Sequence, residues 1–371
     1  MQVYLVGGAV RDQLLGRPVT ERDWVVVGAT PEEMERLGYR AVGREFPVFH
    51  HPDTKEEYAL ARVERKSGPG YRGFITEYSP NVTLEQDLQR RDLTVNAMAR
   101  SDQGALIDPY GGSADLERRQ LRHVSPAFSE DPVRVLRVAR FAARFDGLGF
   151  TVAGDTLALM RTMVDRGEVA ALVPERVWRE MERALGEAAP ERFFDTLADC
   201  GALAVILPEL HWSEPEREAL RTAAKLSGDA SVRFTALAAG NPIAAIETLC
   251  QRLRVPSRFR ELANLCARLH ERIARAAELD AAELLDLLEA SDILRRPERF
   301  ERLLLSCAAR GAPPEALTLL RTAADAIANV TLEPGRMQTL AGGPAIANAL
   351  RDARIAQLTR LPHLQSVRRR S

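Results

Sequence analysis

The sequence predicts an α+β protein, in which a small head that mixes strands and helices precedes a long, entirely helical part. Short apolar strands alternate with helix starts up to about residue 122, and helical patterns rich in Ala, Leu, Arg and Glu run from there to the end. The length of 371 residues suits two or three domains, which we place at residues 1–122, 123–210 and 211–371. No apolar run reaches the roughly 20 residues that a membrane span needs.

Strands and capped helices are predicted in turn along the head. Apolar residues 3–6 and 24–27 predict two strands, each ending at a glycine. Thr30 and Thr83 each stand three residues before a Glu or Gln, which is the capping box that starts a helix. Residues 47–51 and 58–62 are predicted to be extended, and residues 66–73, which are rich in glycine, are predicted to be a mobile loop.

Charge and cysteine content narrow the classes of function. The chain has 51 Lys and Arg against 52 Asp and Glu, so an affinity for nucleic acid requires positive charge gathered on one face. The four cysteines lie far apart without a Cys-x-x-Cys pair, which argues against the common zinc sites and against a disulfide framework. We therefore expect a reducing, cytoplasmic location.

Two short motifs near the start are candidates for phosphate chemistry. Gly7 and Gly8 follow the first strand and precede a helix, where backbone amides and Arg11 could approach a triphosphate; a plain strand-to-helix turn is the alternative. Glu21 and Asp23 stand two residues apart at the head of the second strand and would share a face. Paired carboxylates suit two divalent ions that serve phosphoryl transfer, although alone they could be a charged loop edge.

Two Arg-rich segments follow. Residues 90–97 place Arg91 where it could bind phosphate, and Asp92 and Asn96, four apart on a predicted helix, where they could hold a ribose. A helix that opens near Pro132 carries arginines at spacings of three, three and four, and few acidic residues nearby balance them: Arg134, Arg137, Arg140 and Arg144. A solvated helix face is the usual interpretation of such a stripe, and the local charge excess weakens it.

Taken in order, five motifs resemble those of class II tRNA nucleotidyltransferases, the CCA-adding enzymes of the polymerase-beta superfamily. They are Gly-Gly-Ala-Val-Arg-Asp, Glu-Arg-Asp-Trp, Arg-Arg-Asp-Leu-Thr-Val-Asn-Ala, Asp-Pro-Tyr-Gly-Gly and Glu-Asp-Pro-Val-Arg-Val-Leu-Arg. The resemblance is strongest over residues 1 to about 210, and the motifs resemble those of the bacterial multifunctional type most. It implies a polymerase-beta-like nucleotidyltransferase head, a helical neck that carries a nucleobase template, and a tRNA-binding body and tail.

The resemblance also implies substrates and roles. The reaction would add CCA to the 3′ end of tRNA from CTP and ATP, with tRNA held at its acceptor arm and with neither DNA nor a membrane as partner. Gly8 and Arg11 would contact the triphosphate, Glu21 and Asp23 would hold Mg²⁺, and Glu57 is a weaker third carboxylate. The remaining roles belong to the nucleoside: Arg91 would bind the nucleotide, Asp92 and Asn96 the ribose, Asp131 and Arg134 the base, with Arg137 and Arg140 supporting that site.

The chain departs from the family pattern twice. Glu21 stands where the family has Asp, which could displace the ion by one methylene. No adjacent His-Asp pair occurs anywhere, so we expect no metal-dependent phosphohydrolase activity from the body and a degenerate region there. Three alternatives stay open: a poly(A) polymerase, an enzyme that adds only CC or only A, and an RNA-binding protein whose polymerase site has decayed.

Overall fold

The computed structural model describes residues 1–42, 48–66, 74–333 and 342–363. Two compact units make up the chain, Met1–Pro208 and Glu209–Ser371. The division into three domains stays a prediction. The predicted mobile loop falls mainly on residues 67–73, which lie outside the described residues.

A seven-stranded mixed sheet forms the centre of the first unit. The strands of this unit are β1 (Gln2–Val6), β2 (Asp23–Val27), β3 (Arg40–Val42), β4 (Val48–His50), β5 (Glu57–Leu60), β6 (Arg62–Lys66), β7 (Phe74–Tyr78), β8 (Ala99–Ser101), β9 (Leu106–Ile107), β10 (Gln120–Leu121) and β11 (Thr151–Val152). The large sheet has the order β3-β4-β5-β2-β1-β8-β9, and β6 pairs with β7 separately. β2 runs antiparallel to β1 and parallel to β5.

The apolar run of β2 explains why the sheet is buried on both faces. Neighbouring residues of a strand point to opposite faces, so Val25 and Val26 enter two different cores. Val25 packs with Val6 and Leu88, whereas Val26 packs on the side of Phe49. The two strands predicted at 3–6 and 24–27 are therefore confirmed as central strands.

Helices of the first unit surround this sheet and continue beyond it. They are α1 (Gly8–Leu14), α2 (Pro31–Arg36), α3 (Leu84–Gln89), α4 (Gly112–Glu117), α5 (Val133–Phe145), α6 (Gly154–Asp165), α7 (Pro174–Leu185), α8 (Glu191–Asp199) and α9 (Ala202–Ile206). Both predicted capping boxes are confirmed. The side chains of Thr30 and Thr83 accept from the backbone amides of Glu33 and Gln86, and the side chains of Glu33 and Gln86 accept in turn from the backbone amides of the two threonines.

Three expectations about local structure were wrong. One strand lies after residue 123, where β11 pairs with β10 in parallel. The sequence did not predict it, because two residues are too few to show a strand pattern. Glu21 precedes β2 rather than lying in it. Asp92 and Asn96 do not share an α-helix: α3 has already ended, and only Thr94–Asn96 forms a 3₁₀ turn.

The second unit is helical throughout its described part. Its helices are α10 (Glu214–Leu226), α11 (Ala230–Ala238), α12 (Ile243–Arg252), α13 (Ser257–Ala274), α14 (Ala281–Ala290), α15 (Pro297–Ala309), α16 (Pro314–Ala328) and α17 (Gly343–Leu358). Leucines from α13 to α16 form one apolar core. Cys266 and Cys307 meet in it with their Sγ atoms 3.7 Å apart, and all four cysteines are free and buried. Among the described residues, no helix is both long enough and apolar enough to cross a membrane.

Candidate active site

One cavity of about 670 Å³ in the first unit gathers the predicted site residues. Its wall includes every one of them: Gly8, Arg11, Glu21, Asp23, Glu57, Arg91, Asp92, Asn96, Asp131, Arg134, Arg137 and Arg140. These residues come from segments up to about 130 positions apart in the sequence, and the fold brings them to one place. What each of them does there stays a prediction, and the contacts below show which side chains are already engaged.

The acidic edge of the cavity lies where two parallel strands begin. Asp23 starts β2 and Glu57 starts β5, and the register places them directly opposite each other. Burial and the nearby charges of Glu57 and Glu21 raise the pKa of Asp23, while Arg91 acts against this rise. Crowded carboxylates of this kind favour a cation between them.

The oxygen donors at this edge fit a hard divalent cation. Among the described residues, no group of three or more His, Cys, Asp or Glu side chains is arranged to hold a metal ion by itself. Magnesium, however, is usually bound through one or two carboxylates together with substrate phosphates and water. Glu21 and Asp23 could supply those carboxylates, so an ion bound together with a nucleotide fits this edge better than a metal site built only from protein ligands.

The glycine pair serves the approach of an arginine. Gly7 has a φ of 71°, and a Cβ atom there would lie 2.8 Å from Nη1 of Arg91. Any other residue would therefore combine backbone strain with a clash. Nη2 of Arg91 donates to the Asp87 carboxylate at 3.2 Å. Asp87 is fully buried, and its carboxylate also accepts a hydrogen bond from Arg90. The turn and Asp87 together hold Arg91 at the wall of the cavity.

Arg11 is engaged more fully than a simple phosphate ligand would be. Its side chain is buried, and it donates to both oxygens of Asp12 at 2.9 and 3.0 Å and to Oδ1 of Asn96 at 2.6 Å. The guanidinium also lies 4.9 Å from the centre of the Phe145 ring. A phosphate contact from Arg11 would have to compete with these bonds, so the predicted role requires a rearrangement.

The bonds continue from Asn96 into the helix of the basic stripe. Asn96 donates to Oδ1 of Asp92 at 3.0 Å, and Nε of Arg137 donates to the other oxygen at 2.7 Å. Burial favours the neutral acid, but the Arg137 charge and the hydrogen bonds outweigh it and hold the pKa of Asp92 well below its usual range. Asp92 is therefore an ionised, fully bonded group that links Arg11, through Asn96, to α5.

The stripe on α5 is balanced by carboxylates from distant segments, contrary to our expectation of an unbalanced face. Arg137 pairs with Asp92, and Nε of Arg140 donates to Glu180 on α7 at 2.7 Å. Arg144 lies 3.7 Å from Asp12. The solvated-face alternative is also wrong, because Arg134 and Arg140 are buried.

The two predicted base-reading residues are held by different partners. Arg134 donates to the backbone carbonyls of Ala127 and Arg90, at 2.8 and 2.5 Å. Both oxygens of Asp131 accept from Arg176 on α7, at 3.1 and 2.8 Å. Asp131 also accepts from the backbone amide of Val133 at 3.1 Å. Both side chains reach the cavity, and a bound base would share Asp131 with Arg176.

No motif in the sequence pointed to Arg176, which lines the cavity, or to Glu180, which bonds to Arg140 in its wall. Arg176 and Glu180 lie four apart and so on one face of α7. That face points to the cavity wall and to α5, where it meets Asp131 and Arg140. The sequence shows the spacing of these two residues, but it does not show that their partners lie 40 and 45 residues away.

Comparisons with known proteins show which families and relatives the chain resembles. Residues 3–122 match the family described as the poly A polymerase head domain, and residues 149–213 match a probable RNA- and SrmB-binding site of polymerase A. A multifunctional CCA protein of Alkalilimnicola ehrlichii is 53% identical over 97% of this chain and 98% of its own length. That of Nitrosococcus oceani is 50% identical over 98% of this chain and the whole of its own.

A solved structure shares the architecture. The structure of a tRNA-processing enzyme with CTP superposes with a TM-score of 0.69, at 25% identity, over 96% of each chain. The head with its mixed sheet and the helical part that follows are thus those of a known nucleotidyltransferase fold. With relatives about 50% identical along nearly its whole length, the chain belongs to the class II CCA-adding tRNA nucleotidyltransferases.

Proposed function

We propose that this chain completes the 3′ end of tRNA by adding C, C and A from CTP and ATP, and that it does so in the cytoplasm. The observation that carries the proposal is one cavity that combines an acidic edge with an arginine-rich wall. In each addition the 3′-hydroxyl oxygen bonds to the α-phosphorus, the bond to the bridging oxygen breaks, pyrophosphate leaves and the hydroxyl proton goes to solvent.

The acidic edge would bind Mg²⁺ through Glu21 and Asp23. When bound, the ion supplies charge stabilisation for the attacking and leaving oxygens. Arg91 stands at the wall beside this edge, fixed by Asp87, and would receive the triphosphate charge with little loss of side-chain freedom. Asp92 and Asn96 are held by Arg137 and Arg11 and would present fixed polar groups to the ribose.

Base selection would rest on Asp131 and Arg134. Cytosine and adenine each present an amine donor beside a ring-nitrogen acceptor, whereas uracil and guanine present the opposite pattern. A carboxylate that accepts from the amine and a guanidinium that donates to the ring nitrogen would leave the wrong bases with unpaired polar groups. Two fixed side chains would then select the nucleotide without a nucleic-acid template.

The test is incorporation on a tRNA that ends at the discriminator base, with CTP and ATP offered separately and together. The expected products carry two added residues with CTP and three with both nucleotides. Long tails with ATP alone would favour the poly(A) polymerase alternative, for which the match of residues 3–122 to a poly A polymerase head is the specific observation. Products that stop after CC, or that need a CC end, would indicate a partial enzyme.

Asp23→Asn separates an active enzyme from an RNA-binding protein with a decayed site. We expect the variant to lose incorporation and to keep its affinity for tRNA, because the carboxylate serves the chemical step. Asp102→Asn is the matched control, since Asp102 is exposed at the β8–β9 turn of the same unit. Equal activity of Asp23→Asn and wild type would refute the assignment of the acidic edge.

A further inference from the structure

The carboxylates of the acidic edge border two cavities. Glu21, Asp23 and Glu57 line the nucleotide cavity described above, and they also line a second one of about 470 Å³. The second cavity is otherwise formed by the segment before β2 and by the turn before β5. It contains none of the arginines of α5 or α7.

The proposed reaction needs such a second cavity. An in-line displacement places the attacking and leaving oxygens on roughly opposite sides of the phosphorus. The arginine-rich cavity suits the triphosphate, so the attacking hydroxyl has to reach the carboxylates from elsewhere. The second cavity offers that approach, because it meets the first one only at the residues around the carboxylates.

The charges of the second cavity single out one residue. Arg22 points to Glu56 at 3.3 Å, and this carboxylate offsets its charge. Lys55 is exposed and donates to the backbone carbonyl of Pro52, and no ion pair to it occurs in the described ranges of the chain. It lies two residues before Glu57 and lines the same cavity, so an ammonium group with no ion pair among the described residues faces the acidic edge.

We propose that the second cavity receives the 3′ end of the RNA acceptor and that Lys55 binds its last phosphodiester. The cavity volume is within the usual range for small-ligand sites, roughly 300–1,000 Å³. A lysine contact with a phosphate gives affinity without sequence preference, which suits an acceptor end that changes with every addition. The inference rests on the proposed function, because it assigns the second substrate of the same reaction.

The test combines a protein change with a chemical change in the RNA. We compare wild type and Lys55→Met in the first C addition, on an acceptor whose last linkage is either a phosphodiester or an uncharged methylphosphonate. Either change alone should lower kcat/KM for the acceptor about tenfold, the cost of one charge-assisted contact. The two together should cost no more than either alone, while KM for CTP stays unchanged.

Two further variants complete the design. Lys55→Arg should recover most of the activity, since it keeps the charge. Arg36→Met, which changes an exposed arginine on α2 that lines neither cavity, should leave kcat/KM unchanged and the methylphosphonate effect intact. Loss of one contact with single-stranded RNA should also reduce the slope of log kcat/KM against log salt by about 0.7 in Lys55→Met.

Several results would overturn the inference. Additive effects of Lys55→Met and methylphosphonate would mean that the lysine and this phosphate do not meet. Weaker inhibition by pyrophosphate in Lys55→Met, with the methylphosphonate effect unchanged, would assign the lysine to the leaving group instead. If wild type adds no nucleotide to the unmodified acceptor, the proposed function itself fails, which is a different outcome.

Discussion

Removing Arg176 should impair the choice of nucleotide more than the chemical step. Its guanidinium makes two bonds to the Asp131 carboxylate, and the two side chains are 28% and 23% exposed. A bidentate pair that is mostly shielded fixes a carboxylate with about 1–2 kcal/mol, less than a fully buried pair and more than a surface pair. In Arg176→Ala, the Asp131 carboxylate loses both of these bonds and keeps the one from the Val133 amide.

The expected result follows from that energy. One factor of ten corresponds to about 1.36 kcal/mol, so the ratio of kcat/KM for CTP to that for UTP should fall roughly 5- to 30-fold. The measurement is single-nucleotide addition to tRNA with each nucleotide over a range of concentrations. A lower rate with an unchanged ratio would indicate a merely structural role for Arg176.

Two controls make the result specific. Arg179→Ala removes an exposed arginine from the same helix and should leave the ratio at its wild-type value. Arg176→Lys, which can make one bond but not two, should fall between wild type and Arg176→Ala. If Asp131→Asn and Arg176→Ala have independent effects on the ratio, the reasoning that joins them is refuted.

Three other substitutions test neighbouring parts of the site, and one assay tests the helical body. Arg134→Ala should reduce the preference for CTP and ATP over UTP and GTP, and an unchanged preference would contradict its assignment to the base. Glu21→Asp should retain or increase activity, and complete loss would mean that the edge has adapted to Glu. Asp92→Asn should lower the free energy of unfolding by about 2–3 kcal/mol, a value reduced because Arg137 is one-third exposed. Urea titrations at several pH values measure this difference. The difference should be present in full above about pH 4 and be lost progressively below it, because the pKa of Asp92 is depressed in the folded protein. No hydrolysis of 2′,3′-cyclic nucleotides or nitrophenyl phosphate is expected with Ni²⁺, Co²⁺ or Mg²⁺, and metal-dependent hydrolysis that survives Asp23→Asn would reveal a second catalytic site.

Local signals in the sequence identified the two central strands and the two capped helices of the head. The capping boxes at Thr30 and Thr83 are contained within four residues each, and a short-range hydrogen-bond pattern suffices to recognise them. The short strands β3, β8, β9, β10 and β11 were not foreseen, because two or three residues cannot show an alternation. Their formation depends on the neighbouring strands, which supply the hydrogen-bond partners.

The membership of the site could be predicted, but its internal bonds could not. Motif order pointed to the same residues that line the cavity. The partners of Arg137, Arg140 and Asp131 come from positions 40 to 45 residues away, and no local pattern encodes them. Asp92 and Asn96 were predicted to share a helix face and hold a ribose, but their side chains bond to each other and only Asn96 lies in a 3₁₀ turn.

The bond between Asp92 and Arg137 limits how such an enzyme can be cut and recombined. A fragment that ends at residue 122 would keep the buried carboxylate and lose the cation that stabilises it, and it would also lose Arg134, which caps the carbonyl of Arg90. Chimeras that exchange the first 122 residues alone would therefore depend on the other parent for the partners of these groups. Exchange of the whole segment up to Pro208 moves both ends of each of these bonds together, so protein engineers should place the junction there.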